Sequence, residues 1–249
     1  MRGTTMALIE ITAGDGTAEA YRTGEDGRPG ILLITDVNGI RPRIEEMADR
    51  IAGWGYTVLV PNLFYRLGSV AEIAPTTDLT VPENRQAHGE KVMFRVADLN
   101  PTKQRADLAG YLDALQAIAA PGPVGVIGYC MGAAMASRAA GWFPDRIAAC
   151  AAFHGARLVS DDPDSAHTVI ASATAEFLYG HADQDRINPA EDIAILEQAL
   201  TDAGLTWISN IYPDAPHGFT MKDLVSYQEA GAERHFTESK DLFARTLGR

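Results

Sequence analysis

Short unbroken apolar runs alternate along this chain with longer stretches in which apolar residues recur at helical spacing. Gly30 to Thr35, Tyr56 to Val60, Pro123 to Ile127 and Ile147 to Phe153 are continuous apolar runs, as expected of strands buried on both faces in a parallel sheet. Glu176 to Tyr179 and Leu205 to Tyr212 read as two further strands. Between the runs, Ile44, Met47, Ile51 and Trp54 share one helical face, as do Leu108, Tyr111, Leu112 and Leu115, and Ile193, Leu196 and Leu200. Glu83 to Val96, Ala133 to Gly141 and Leu224 to Leu247 complete the expected helices. Near the start, Leu8 to Thr12 and Ala18 to Tyr21 flank Gly14-Asp15-Gly16, which predicts an antiparallel hairpin at the sheet edge. Strands alternating with helices predict an α/β fold with a mostly parallel central sheet and helices on both faces. No break in this alternation divides residues 1–249, so one domain is expected. Within it, 62–100 begins as an irregular segment too long for a plain connection, a candidate lid or substrate loop.

The most informative stretch is Gly128-Tyr129-Cys130-Met131-Gly132, which joins an apolar strand to an Ala-rich helix. A sharp strand-to-helix turn of this kind needs small residues two before and two after its centre, and both are glycine. It would hold Cys130 at the tip of a strand. In open α/β sheets the carboxyl ends of the strands carry function. Cys130, Asp183 and His217 each follow a strand, in the order nucleophile, acid, histidine that typifies α/β-hydrolases. His217 can take the thiol proton and return it to a leaving group, and Asp183 would fix the imidazole tautomer. Asp185 is the local rival for the acid, otherwise an exposed turn residue. The backbone N–H groups of Met131 and Val37 are the expected oxyanion donors. His154 and His181 follow strands ending at the same rim and are candidate pocket residues; His88, His167 and His235 read as structural or solvated.

Composition narrows the classes. The formal net charge of −12 argues against a nucleic-acid surface, and no apolar run reaches the roughly 18 residues needed to span a bilayer. Met1 to Ile11 lacks the long apolar core of a secretory segment, which makes a cytoplasmic location the expectation. The two cysteines, Cys130 and Cys150, do not suggest a disulfide framework, and Cys150 reads as a buried strand residue. No metal-ligand spacing is present, so no metal site is expected.

With these motifs in place, the chain resembles the dienelactone hydrolases, the carboxymethylenebutenolidase family of α/β-hydrolases. The resemblance extends from the Gly14-Asp15-Gly16 hairpin to the final helix and rests on Gly128 to Gly132, Gly180-His181-Ala182-Asp183 and His217-Gly218-Phe219. It implies a cofactor-free hydrolase with Cys130 as nucleophile, His217 as base and Asp183 as its partner, acting on dienelactone-type substrates. Two departures stand out. Asp36 occupies a position where the family commonly has a Glu that helps activate the cysteine. Met221, four residues after the histidine, replaces an Arg that holds the substrate carboxylate. Arg85 and Arg95 are candidate replacements for that charge, with Arg41 close to the oxyanion loop, although each also reads as a solvated arginine. Phe94, Tyr129, Phe219 and Met221 suggest an apolar pocket and a less anionic ester than dienelactone. The expected partner is a small-molecule ester or lactone, with the chain a monomer or homodimer. A ligand-binding protein without catalysis and a redox-sensing thiol are the rival readings.

Overall fold

The structure, a computed structural model, describes residues 8–248, together with the backbone alone at Glu90 and Lys91. The first seven residues, on which the expectation of no secretory segment largely falls, and Arg249 lie outside the described residues. Eight strands, β1 (Leu8–Ala13), β2 (Gly16–Thr23), β3 (Gly30–Ile34), β4 (Thr57–Pro61), β5 (Val124–Tyr129), β6 (Ile147–Phe153), β7 (Glu176–Ala182) and β8 (Trp207–Tyr212), form one sheet in the order β1-β2-β4-β3-β5-β6-β7-β8. From β4 to β8 all neighbours run parallel, while β1 and β2 form an antiparallel hairpin at one edge and β2 joins β4 antiparallel.

The helices are α1 (Pro42–Ala52), α2 (Val70–Ile73), α3 (Pro82–Asp98), α4 (Pro101–Gln116), α5 (Met131–Trp142), α6 (Ala166–Val169), α7 (Ala190–Asp202) and α8 (Glu229–Leu247). Because side chains alternate along a strand, each central strand feeds two cores. Leu32 and Ile34 of β3 pack with Leu108 and Tyr111 of α4, Met135 of α5 and Leu196 of α7 in one slab. Ile31 and Leu33 pack with Ile44 and Met47 of α1 and Phe236 and Phe243 of α8 in the other. The continuous apolar runs follow from this, since both faces of β3, β4 and β5 are buried.

Several boundaries differ from the sequence expectation, two of them for a reason visible in the capping. The final helix begins at Glu229 rather than Leu224, where Gln228 accepts a side-chain hydrogen bond from the Gly231 N–H and so caps the first turn. The 62–82 segment contains the one-turn helix α2, opened by a Ser69–Glu72 capping box whose polar residues do not register as apolar periodicity. Among the described residues, no helix is long and apolar enough to cross a membrane.

Candidate active site

The turn after β5 is built from backbone constraint. Cys130 has φ 56° and ψ −121°, a left-handed-side conformation that a residue with a Cβ adopts only under pressure from its surroundings. That pressure is visible at the flanking glycines. A Cβ on Gly128 would lie 2.1 Å from the Gly132 carbonyl oxygen, and one on Gly132 would lie 2.4 Å from that of Thr35. Without side chains at these two points, the start of α5 packs directly on the end of β3, bringing the loop after β3 beside the thiol. The bend is held by Cys130 N–H donating to the Phe153 carbonyl (3.2 Å) and by Ala156 N–H donating to the Cys130 carbonyl (3.0 Å).

His217 lies between the sulfur and a carboxylate. Its Nε2 is 3.2 Å from Cys130 Sγ and its Nδ1 is 2.7 Å from Asp185 Oδ2. The Asp185 side chain is 1% exposed, and its other oxygen accepts the Ile187 N–H at 2.8 Å. The expected partner Asp183 is therefore corrected to Asp185. At Asp183 the chain is still in the β7–β8 ladder, its N–H donating to the Tyr212 carbonyl, and its carboxylate turns to accept the Asp214 N–H at 2.8 Å. Two residues later the chain has turned, and Asp185 meets the imidazole.

Burial alone would push the His217 imidazole down, but its hydrogen bonds to the Asp185 carboxylate and Cys130 sulfur outweigh it and bring it up to about 10. Lying above the ordinary histidine value, this shift stabilises the fold fully below about pH 6.5, and the contribution is lost as pH rises through about 10. Urea midpoints of the wild-type chain and a His217→Gln variant should therefore converge between about pH 6 and about pH 10. A gap that stays constant over that range would contradict the pairing. Other histidines nearby are held neutral by burial: His181 is pushed down to about 4, His235 to about 3, and His154 well below the ordinary value. His154 sits with its ring at 72° to that of His217, centroids 5.3 Å apart, and its Nε2 meets Thr220 Oγ1 at 2.8 Å.

The remaining expected site residues divide. The N–H groups of Met131 and Val37 make no hydrogen bond to a protein acceptor among the described residues, and both residues are half-buried. Asp36, expected to act on the thiol, is instead held by Arg41, whose Nη1 and Nη2 donate to its two oxygens at 2.7 and 2.9 Å. No hydrogen bond joins Asp36 to Cys130 among the described residues, so its charge is balanced by Arg41. Tyr129, Phe219 and Met221 are corrected from pocket to core: all three are fully buried in the slab under α1 and α8, and the Tyr129 hydroxyl meets His235 Nε2 at 3.3 Å. Apolar residues adjoining site residues alternate inward, which the sequence pattern does not distinguish from lining a pocket. Phe94 and Arg85 are exposed on α3. Arg95 is buried, its Nη1 donating to the Ile73 carbonyl at 2.9 Å, with its guanidinium 6.0 Å from the Phe64 ring. His88, also on α3, donates through Nε2 to Asn38 Oδ1 at 3.0 Å, a tie between the 62–100 segment and the loop after β3 with no sequence signal beyond a polar pair.

Cys150 is far from this chemistry. It pairs in register with Val126 of β5, while Phe153, three residues further along β6, pairs with Tyr129 beside Cys130. At about 3.3 Å per strand residue the two thiols lie beyond the roughly 7 Å Cα separation that a disulfide tolerates. Burial also pushes the Cys150 thiol up, away from reactivity.

The comparisons with known proteins agree with this architecture. The family model for the Dienelactone hydrolase family matches residues 18–247. The chain belongs to this family. It is accordingly a hydrolase of the dienelactone hydrolase type within the α/β-hydrolase superfamily. A protein named "Putative carboxymethylenebutenolidase" from Methylorubrum extorquens is 28% identical over 244 residues, covering 94% of this chain and 79% of that one. A protein of the same name from Synechocystis is 26% identical over 230 residues, covering 88% and 87% of the two chains. In fold, the chain is similar to a dienelactone hydrolase structure from Anabaena variabilis, with TM-score 0.67, 18% identity and coverage of 97% and 98%. It is also similar to a dienelactone hydrolase-like promiscuous phosphotriesterase from metagenomic libraries, with TM-score 0.78, 19% identity and the same coverage.

Proposed function

We propose that this dienelactone hydrolase family member cleaves a small carboxylic ester or lactone by acyl transfer through Cys130, with His217 as acid and base and Asp185 as the group that orients it. The observation that carries the reading is the single line of contacts from sulfur to imidazole to buried carboxylate. A thiol whose proton has passed to His217 attacks the ester carbonyl carbon, and the carbonyl π electrons move onto oxygen. The Met131 and Val37 N–H groups receive that oxyanion, a role supported by their having no protein acceptor among the described residues. Collapse expels the alkoxide, which takes the proton from His217 Nε2, and leaves a thioester on Cys130. Water then adds to the thioester carbonyl, giving its proton to His217, and the second collapse releases the acid and restores the thiolate. Asp185 accepts the hydrogen bond from Nδ1–H, so that Nε2 faces the sulfur.

The 62–100 segment is the part of the chain that meets the substrate from above this centre, a reading supported by the His88 to Asn38 hydrogen bond. Met221, apolar and buried, offers no cation to a substrate carboxylate, which favours an ester of low charge.

Mixing the protein with an excess of an activated aryl ester and following the pre-steady-state phase tests this directly. A burst of aryl alcohol about equal to the protein concentration, with an acyl mass added to the peptide carrying Cys130, is the expected result. Reversible binding of the ester with neither burst nor adduct would favour a non-catalytic role.

A further inference from the structure

Arg41 is the most completely engaged side chain near the site, and the acyl-transfer reading does not use it. A guanidinium has five N–H donors in a fixed plane. Here all five have acceptors: Nε on Asp223 Oδ2 (2.5 Å), Nη1 on Asp36 Oδ1 (2.7 Å) and the Gly39 carbonyl (3.1 Å), and Nη2 on Asp36 Oδ2 (2.9 Å) and Asp223 Oδ1 (3.3 Å). The Asp36 carboxylate is equally saturated, its two oxygens also accepting from Asn38 N–H (3.0 Å) and Asn38 Nδ2 (3.3 Å). Both side chains are 4% exposed, whereas Asp223 is 36% exposed.

These acceptors come from two loops. Asp36 to Arg41 is the loop after β3 that carries the Val37 amide, closed back on itself when the Arg41 side chain returns to Asp36 and Gly39. Asp223 lies in the loop that follows His217, six residues beyond it. Arg41 therefore joins the segment holding one oxyanion donor to the segment holding the imidazole. Taking an ion pair out of water costs about as much as the pairing returns, so such a pair adds little stability. Its yield is geometry, because a planar fork meeting two carboxylates and a carbonyl permits one relative placement of the two loops.

We infer that Arg41 is a positioning residue for acyl transfer, holding the Val37 amide in register with the Cys130–His217 pair through Asp36 and Asp223. The inference rests on the acyl-transfer reading and adds to it a residue that touches neither substrate nor thiol. It separates two properties of the site. Reaction of Cys130 with iodoacetamide needs the thiolate and no oxyanion donor, whereas acylation by an ester needs both.

The test measures both reactions in wild type, Arg41→Gln, Arg41→Lys and Asp223→Asn. For Arg41→Gln the expected result is ester kcat lowered about 100-fold at unchanged KM, with the alkylation rate unchanged. Arg41→Lys, with one point charge in place of a fork, should recover about a tenth of the wild-type kcat. Asp223→Asn leaves the buried pair intact and is the deciding variant if Arg41→Gln does not fold; its expected kcat is about tenfold down with alkylation unchanged. Wild-type ester kcat in a folded Arg41→Gln or in Asp223→Asn would overturn the inference, as would alkylation falling in parallel with ester turnover. A wild-type chain that never acylates Cys130 would instead remove the acyl-transfer reading itself.

Discussion

Cys130→Ala is expected to lower kcat/KM on an activated aryl ester by more than about four orders of magnitude, because the covalent route loses its only nucleophile. The substitution leaves the elbow in place. Alanine has the same Cβ in the same strained backbone, held by the Phe153 and Ala156 hydrogen bonds and by close packing at Gly128 and Gly132. The variant should therefore unfold in urea within about 1 kcal/mol of wild type. Substantial turnover by Cys130→Ala would remove the thiol from the mechanism; a collapse in stability would mean that the sulfur is structural.

The second large effect separates two aspartates two residues apart. Asp185→Asn is expected to cost about three to four orders of magnitude in kcat, since an amide at this position no longer holds the His217 Nδ1 proton or supports the imidazolium. Asp183→Asn should leave kcat at the wild-type level and stability within about 0.5 kcal/mol, because the asparagine carbonyl oxygen still accepts the Asp214 N–H on an exposed turn. Steady-state kinetics on the two variants decide between them. The reverse ranking would restore Asp183 as the partner of His217.

This pair also marks where the sequence stops being legible. The eight strands, the parallel centre and the edge hairpin follow from apolar runs and turn residues. Cys130 and His217 were readable because each follows a strand and the elbow needs two glycines, a constraint that leaves a mark in one dimension. Asp183 against Asp185 turns on where β7 releases the chain, and a ladder that continues one residue further changes which carboxylate faces the imidazole. The partner of Asp36 was hidden for a related reason. Arg41 reads as one arginine among many until its side chain is seen folding back, and Asp223 lies 182 positions away from it. Tyr129, Phe219 and Met221 were misplaced because hydrophobicity reports burial without saying whether it is under a core or a ligand.

Those sequence distances carry a consequence for how the enzyme comes into being. The sulfur and imidazole are 87 residues apart and the Arg41–Asp223 bond spans 182, so the site has no local precursor. Closing such loops requires most of the chain to be in place first. On the acyl-transfer reading, activity therefore requires that the last strand and the loop carrying His217 have docked beside Cys130.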